Sequence, residues 1–327
     1  MSGSGAAGGE QRPGTNPPAL AGSVAPTPLL HTPYDGSARP FTVGLMPLDL
    51  ADWIEPDDRL AEHLARKDEL LAGAGAPVLL AEAGTQAAQQ EVLDLLFDHL
   101  PARFPGIYHR DGDAISVTPA GRRISRTAAD EAPIAAAARL VQEDLVLMRK
   151  GADGHRLAAA ALCFPSSWSL VEKFGRSMRE IHETVPGFND GRMGQMVARI
   201  FDNLAVDRPS WRLNWSLYSG AELHHPKPKR IDAARMDGAP REGLHVRVER
   251  QTLRRLPGCG DILFTIKIHH DPVAAFAGHP DGMRLAAGLR EQLLALDPAQ
   301  LAYKGLSDER DRIAGHLAAQ ARMSQRD

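Results

Sequence analysis

The sequence predicts an α+β domain in which an antiparallel sheet is flanked by helices. Three stretches between residues 211 and 269 alternate apolar and polar residues, as strands with one buried face do. A segment rich in Pro and Gly, Arg255–Asp261, separates the last two stretches and suits a turn between antiparallel neighbours. Elsewhere, apolar residues recur at helical spacing on both sides of these strands.

The predicted strands carry polar residues on one face. In Trp211–Tyr218 the odd-numbered residues are apolar, and the opposite face presents Arg212, Asn214, Ser216 and Tyr218. Leu244–Glu249 and Ile262–His269 alternate in the same manner. A further apolar run, Arg156–Phe164, fits a central strand.

The helices are predicted from period and from capping residues. Thr85 begins one whose apolar stripe includes Val92 and Phe97 and which Pro101 ends. Further helices are expected at about residues 130–149, 190–204, 281–297 and 307–323. The last two indicate helices packed outside the core.

One folded domain is expected over residues 41–310. Residues 1–40 are rich in Gly, Pro, Ala and Ser and are predicted to form a disordered tail, because such a segment buries too little apolar surface to offset its ordering entropy. Residues 311–327 are predicted to be a C-terminal helix and tail.

Composition excludes several classes of function. The net charge of −3 provides no basic field for nucleic acid, and the chain has no apolar run of the ~20 residues that span a bilayer. The first residues lack the features of a signal peptide, which favours a cytoplasmic protein without membrane contact. Two distant cysteines, Cys163 and Cys259, argue against a disulfide framework, a structural zinc and an iron–sulfur cluster held by this chain alone.

A predicted helix from Ser169 to His182 has unusual content. Ser169 and Glu172 form a capping box, and Met178 belongs to a buried stripe that ends near His182. Gly175 lies two turns before that histidine on the same flank and leaves room for a flat ligand. His182 is either stabilised by the C-terminal end of the helix or an axial ligand to a metal or haem.

Arg247, Glu249 and Arg250 place a carboxylate between two guanidinium groups on or near a strand. Arg247 and Glu249 share a face, where they could form a simple ion pair. Alternatively, the arginines bind carboxylates of a cofactor in bidentate fashion, and Arg212 joins them from its own strand.

The histidine-rich segments offer a rival metal site. His269 and Asp271 have the H-x-D spacing of two ligands in a facial-triad iron site, which needs a second histidine from elsewhere. The pair His224 and His225 is expected in an exposed loop, and Cys259 lacks the context of a haem-thiolate ligand.

Five strings resemble the haem-dependent oxidative N-demethylase alpha-subunit-like family. They are VGLMPLDLADWIEPDDRL, FPSSWSLVEKFGRSMREIHETVP, WRLNWSLY, RVERQTLRRLPGCGDILFTIKI and AYKGL, in this order over about residues 41–310. The resemblance implies a PAS-like sheet flanked by helices that encloses b-type haem. It also implies oxidative removal of an N-methyl group from a small amine, or a related oxidation of a nitrogen-containing metabolite, with O2 and external electrons.

Site residues follow from the same resemblance. His182 matches the axial iron ligand, beside Gly175 and Met178, and Arg247 and Arg250, with Arg212, are expected to hold the haem propionates. Glu249 is expected to hold an amine cation or relay protons, with Asn214 and Tyr218 lining the pocket. His269 departs from the family pattern, which has a tyrosine there, and Glu183–Thr184 departs from its proline-containing pattern.

The resemblance implies a small-molecule substrate and a separate reductase or subunit that supplies electrons, and it leaves a homo-oligomer open. Two alternatives stand beside the monooxygenase. One is a haem-binding sensor that binds a ligand without turnover. The other is a non-haem Fe(II) oxygenase built on His269 and Asp271.

Overall fold

The computed structural model describes residues 29–37, 42–73, 75, 77–127, 131–231 and 243–323. The strands of these ranges are β1 (Met46–Pro47), β2 (Leu79–Ala81), β3 (Tyr108–Asp111), β4 (Ala114–Val117), β5 (Arg122–Ser125), β6 (Asp144–Gly151), β7 (Gly154–Ala161), β8 (Ser210–Ser219), β9 (Leu244–Arg255) and β10 (Ile262–Pro272). The α-helices are α1 (Leu60–Ala72), α2 (Gln86–Arg103), α3 (Pro133–Ala138), α4 (Leu170–Lys173), α5 (Met178–Ile181), α6 (Arg192–Asn203), α7 (Gly282–Leu294), α8 (Pro298–Tyr303) and α9 (Arg310–Met323).

A seven-stranded antiparallel sheet forms the centre of the fold, in the order β1-β8-β9-β10-β6-β7-β2. The three alternating stretches are its strands β8, β9 and β10, and the apolar run near residue 156 is β7. The turn between β9 and β10 contains Gly260 at φ +78°, a conformation that favours glycine. The prediction of an antiparallel sheet flanked by helices is confirmed.

The two faces of the sheet pack against different helices. One face, which we call the helix-rich face, carries Leu145 and Leu147 against α1–α3, and Trp215 and Val248 against α7 and α9. The other face, which we call the site face, carries Ile266 and other apolar residues against the segment that contains α4, α5 and α6. Arg212, Asn214, Arg247 and Glu249 lie on the site face because they alternate with the apolar residues of the helix-rich face.

The prediction of a helix at residues 130–149 is wrong. α3 ends at Ala138, and Asp144–Gly151 forms β6 between β10 and β7. Because β6 is buried on both faces, its residues 145–148 are all apolar and show no period of two. A short run of this kind does not distinguish a buried helix from a central strand. A second, three-stranded sheet, β3-β4-β5, was not predicted either.

Both ends of the domain differ from the prediction in detail. Residues 29–37 belong to the packed structure, since Tyr34 is 1% exposed and its ring lies 6.0 Å from that of Phe276. The predicted tail therefore does not include these residues, and residues 1–28 and 38–40 lie outside the described ranges. At the other end, α8 stands between the two expected helices, and α9 packs on α7 through Ile313 and Leu317.

The remaining helices follow the predictions closely. α2 contains the expected stripe but continues past Pro101 to Arg103, and α6 and α7 lie within their predicted ranges. Within the described ranges, no helix combines the length and the apolar character that a membrane crossing requires.

Candidate functional site

The polar residues of β8 and β9 form one continuous surface on the site face. The register pairs Arg212 with Gln251, Asn214 with Glu249, and Ser216 with Arg247. Residues directly opposite in an antiparallel pair lie side by side on the same face. Arg212, Asn214 and Glu249 therefore lie on one face of the sheet, and their shared role in a site stays a prediction.

The segment before His182 is two short helices and not one. α4 ends at Lys173, Phe174 is extended, and Gly175 adopts φ +73° before α5 begins at Met178. A second capping box, Ser177 with Glu180, starts α5. The S-x-x-E spacing of this second box is visible in the sequence and could have identified the break.

Gly175 consequently has a different role from the one expected. Its N–H donates to the carbonyl oxygen of Leu157 at 2.9 Å, so the break between the helices pairs with the edge of β7. A Cβ added at Gly175 would meet nothing within 4 Å. The glycine therefore permits a left-handed turn, which positions α5, and does not clear space beside His182 on a shared helix.

His182 ends α5 with one ring nitrogen fixed and the other without a partner. Nδ1 lies 2.8 Å from the carbonyl oxygen of Met178, and the ring stacks on Phe188 with centroids 4.2 Å apart. Burial lowers the pKa of His182, and Lys173 and Arg212 act in the same direction. The ring is therefore neutral at pH 7, with Nδ1–H donating to Met178. Within the described ranges Nε2 has no hydrogen-bond partner, so its lone pair is available to a ligand.

Arg247 is fully buried and already has its hydrogen-bond partners. Its Nε donates to Ser166 Oγ at 3.0 Å, and its two terminal nitrogens donate to the carbonyl oxygens of Leu223 at 3.1 Å and Phe164 at 2.7 Å. These bonds hold two loops on the sheet. The ion pair with Glu249, one of the two alternatives, is not formed, and a carboxylate ligand of Arg247 would have to displace these carbonyl groups.

Arg250 lies on the helix-rich face. Its Nε is 3.2 Å from Glu55 Oε2, its guanidinium donates to the carbonyl oxygens of Asp52 and Trp53, and it stacks over the ring of Trp211. The expected grip of Arg247 and Arg250 on one cofactor is not formed, because side chains three residues apart on a strand point to opposite faces.

Glu249 lies among cations on the site face. Its carboxylate accepts a hydrogen bond from Gln251 Nε2 at 2.7 Å. Burial lowers the pKa of Arg212, Lys229 and Lys304, and it lowers the pKa of Lys304 to about 8. The negative charge of Glu249 opposes this lowering for all three residues. The Nε of Arg212 is buried without a hydrogen-bond partner. Arg212 is therefore a permanent cation with an unused donor.

Sequence reasoning did not assign Lys229, Tyr303 or Lys304. Lys229 lies over the ring of Tyr218, with Nζ 4.1 Å from the centroid, and Lys304 Nζ donates to the carbonyl oxygen of Trp215 at 2.5 Å. Burial, with Glu249 and Tyr218, raises the pKa of Tyr303 to about 12. The AYKGL string contains two of these residues, but only tertiary structure brings it to the site.

A cleft of about 340 Å³ opens beside Tyr218 and Lys229, and His224 and His225 also line it. The Tyr218 hydroxyl is 2.8 Å from Ser167 Oγ, and burial raises its pKa, so the phenol is neutral. His225 packs on the Tyr218 ring with centroids 4.4 Å apart. The two histidines are half-buried, not exposed as expected. The volume is at the low end of the range for small-molecule sites.

The wall opposite the sheet is apolar and incompletely covered. α6 presents Met193, Val197 and Ile200 along one side, and all three are half-buried. Met196 is 47% exposed, and of the α6 residues only Phe201 is buried. Phe174, Met178 and Ile181 are likewise only partly buried against the same apolar cluster. The described residues therefore leave part of this apolar wall uncovered, and a further apolar group could pack against it.

The sheet separates the H-x-D pair, His269 and Asp271, from the residues of the site face. His269 and Asp271 lie on the helix-rich face, and the intervening His270 lies on the site face, 4.8 Å from the His245 ring. The cluster that includes His269 contains Glu55 and His31, not Asp271. Among the described residues the ligand cluster of His269 does not include Asp271, so the geometry does not support the alternative of an iron site built on His269 and Asp271.

A comparison with protein families matches this chain over residues 44–314. The family is described as haem-dependent oxidative N-demethylase, alpha subunit-like. The matched range includes β8, β9, the His182 segment and the Lys304 helix end, and it covers most of the 327 residues.

Proposed function

Because this chain belongs to the haem-dependent oxidative N-demethylase alpha subunit-like family, we propose that it binds b-type haem through His182 and oxidatively demethylates a small amine. The observation that carries this proposal is the Nε2 atom of His182, a neutral ring nitrogen without a described partner. A histidine that ligates a metal commonly donates its other N–H to a backbone carbonyl, as Nδ1 does to Met178 here.

Two further features fit a haem. The unused buried donor of Arg212 suits a propionate, and the positive charge of Arg212 contributes to the lowered pKa of His182. The half-buried apolar residues of α6 suit the porphyrin surface. The proposal takes the sheet to be PAS-like, with haem held between the site face and the segment of α5 and α6.

Haem, when bound, supplies the activation of O2 that the oxidation requires. The protein groups bind and orient the amine. A small secondary amine is a cation at neutral pH, and Glu249 supplies a carboxylate for it, while Asn214 and Tyr218 line the approach. Burial lowers the pKa of Lys229 well below its ordinary value, which makes Lys229 the candidate to accept the proton of the amine.

The proposal includes a partner that delivers electrons. The chain has two cysteines, too few for an iron–sulfur cluster of its own. The alpha subunit-like description of the family supports a further subunit. Formaldehyde release from a methylated amine, measured with a ferredoxin and its reductase, distinguishes turnover from ligand binding by a sensor.

The axial-ligand assignment is tested with His182→Ala. We expect the purified variant to lose haem or to show a shifted Soret band after reconstitution with hemin, because the iron loses its nitrogen donor. His109→Ala, on the exposed part of β3, is the control and should keep the wild-type spectrum. A wild-type Soret band in folded His182→Ala protein would overturn the assignment.

A further inference from the structure

Three potential metal ligands converge on the helix-rich face, on the other side of the sheet from Glu249. His31 comes from the segment before β1, Glu55 from the loop before α1, and His269 from β10. His31 Nε2 and His269 Nε2 each lie 3.0 Å from the same carboxylate oxygen, Glu55 Oε1. The ligand atoms all lie within 4.8 Å of one another. Residues far apart in the sequence thus direct three donor atoms to one point.

His269 Nε2 contacts Glu55 without completing a hydrogen bond to it. The residue is 8% exposed, and its buried Nε2 lies 3.0 Å from Glu55 Oε1 outside hydrogen-bond geometry. Glu55 therefore compensates only part of the hydration that this nitrogen loses on burial. A metal ion bound to this nitrogen would complete the compensation. The planes of the two imidazole rings are nearly perpendicular, at 77°, so the rings do not stack face to face.

The second oxygen of Glu55 is held by another residue. Oε2 lies 3.2 Å from Arg250 Nε and 3.1 Å from His31 Nε2, while Oε1 lies 3.0 Å from both His31 Nε2 and His269 Nε2. Carboxylates that ligate metals are commonly oriented by such outer contacts. The Glu55 backbone is fixed as well, since its carbonyl oxygen accepts from Lys267 Nζ. Glu55 is therefore positioned before any ion binds.

We propose that His31, Glu55 and His269 bind one divalent first-row transition-metal ion. Two imidazoles and one carboxylate are a ligand set suited to Zn²⁺ or Fe²⁺, and three protein ligands leave at least one position for water. The side chains of His31 and Glu55 are 15% and 16% exposed, so the ion has a route from solvent.

The ion would link the segment of residues 29–37 to the sheet through His31 and His269. Of the three ligands, His31 alone belongs to that segment, and the other two belong to the loop before α1 and to the core strand β10. The proposed haem lies on the opposite face, so the two metal centres are separate. Binding of the ion is expected to stabilise the folded chain, because the unfolded chain does not assemble the three ligands.

Zinc binding to the full-length, tag-free protein tests the proposal. After chelator treatment, the protein is dialysed against micromolar Zn²⁺, and bound zinc is measured by mass spectrometry, which separates it from haem iron. We expect one Zn²⁺ per wild-type chain and a melting temperature that rises with zinc. We expect His31→Ala and His269→Gln to weaken zinc binding 10-fold or more.

His109→Ala removes an exposed histidine from β3 and is the matched control, which should bind zinc as the wild type does. If the variant of the buried His269 does not fold, His31→Ala, at the partly exposed position, decides the question. Less than one zinc per wild-type chain, or undiminished zinc binding by folded His31→Ala protein, would overturn the proposal.

Discussion

Arg247 and Arg250, three residues apart on β9, point to opposite faces of the central sheet. Arg247 ties Phe164 and Leu223 to the site face, and Arg250 binds Glu55 and the loop before α1. Neither guanidinium is free to bind a cofactor. Arg212, whose Nε is buried without a partner, is the arginine of the site face that we propose for a haem propionate.

Arg212→Gln is expected to speed haem loss. A charge-assisted hydrogen bond contributes about 1.5–3 kcal/mol, which corresponds to a rise of roughly 10- to 100-fold in the haem dissociation rate. Transfer of haem to apomyoglobin measures this rate. Arg250→Gln is the matched comparison and should lower the melting temperature while leaving the rate within about 2-fold of wild type. Equal effects of the two variants on haem loss would contradict the assignment.

Glu249→Gln is expected to impair turnover without loss of haem. The amide keeps the shape of the side chain and its contact with Gln251 but removes the charge that binds the amine. We expect kcat/KM for the amine to fall by roughly 10- to 100-fold, as for loss of a hydrogen bond to a charged group. Formaldehyde production and the Soret band are the two measurements. A variant with wild-type kcat/KM would exclude Glu249 from substrate binding.

Gly175→Ala is expected to destabilise the protein through the backbone alone. Gly175 has φ +73°, and an added Cβ would meet no atom within 4 Å, so no steric contact contributes. The left-handed conformation costs an L-residue roughly 1–2 kcal/mol, which urea unfolding measures. Gly106→Ala is the control, because its Cβ also has open space and its φ is not left-handed. The idea fails if both variants unfold at the same urea concentration.

His99 is expected to make stability depend on pH. The residue lies on α2, its ring centroid is 5.3 Å from that of Trp53, and its Nε2 is buried without a partner. Burial, followed by Arg254 and Arg103, lowers the pKa of His99 to about 4. An unfolded histidine has a pKa of about 6.5, so between about pH 6.5 and 4 the unfolded chain binds a proton that the folded chain does not.

The contribution of His99 to the free energy of unfolding should therefore be constant above that window and fall as pH drops through it, by at most about 1.4 kcal/mol per pH unit. Denaturant unfolding of the wild type and His99→Leu at pH 8 and pH 5 gives the measurement. The difference at pH 8 reports packing alone, because His99 is neutral in both states. If the two proteins lose the same stability between pH 8 and pH 5, His99 has no part in the dependence.

The half-buried strands could be predicted from the sequence because alternation is a local signal. β8, β9 and β10 lie where the polar and apolar residues alternate. The same alternation places Arg247 and Glu249 on one face and Arg250 on the other, so the position of Arg250 was open to prediction. β6 was missed because a strand buried on both faces has no alternation.

The rest of the site depends on tertiary structure. Lys229 and Lys304 reach Glu249 from segments outside the sheet, and no local spacing connects them to it. The His31–Glu55–His269 cluster joins residues more than 200 positions apart. The assignment of His182 came from family resemblance, and the structure adds the fixed Nδ1 and the open Nε2. Its role as an iron ligand stays a prediction.

The alternation along β9 makes the length of this strand a constraint on any relative that shares both proposed centres. Deleting or inserting one residue between Glu249 and Arg250 would send every later side chain to the other side of the sheet. Substitutions along β9 can be tolerated singly, whereas such a change in length would turn Arg250 away from Glu55 while Glu249 kept its face. Chains that preserve the spacing but vary His31 or His269 would be the natural place to look for a haem protein without the second ion.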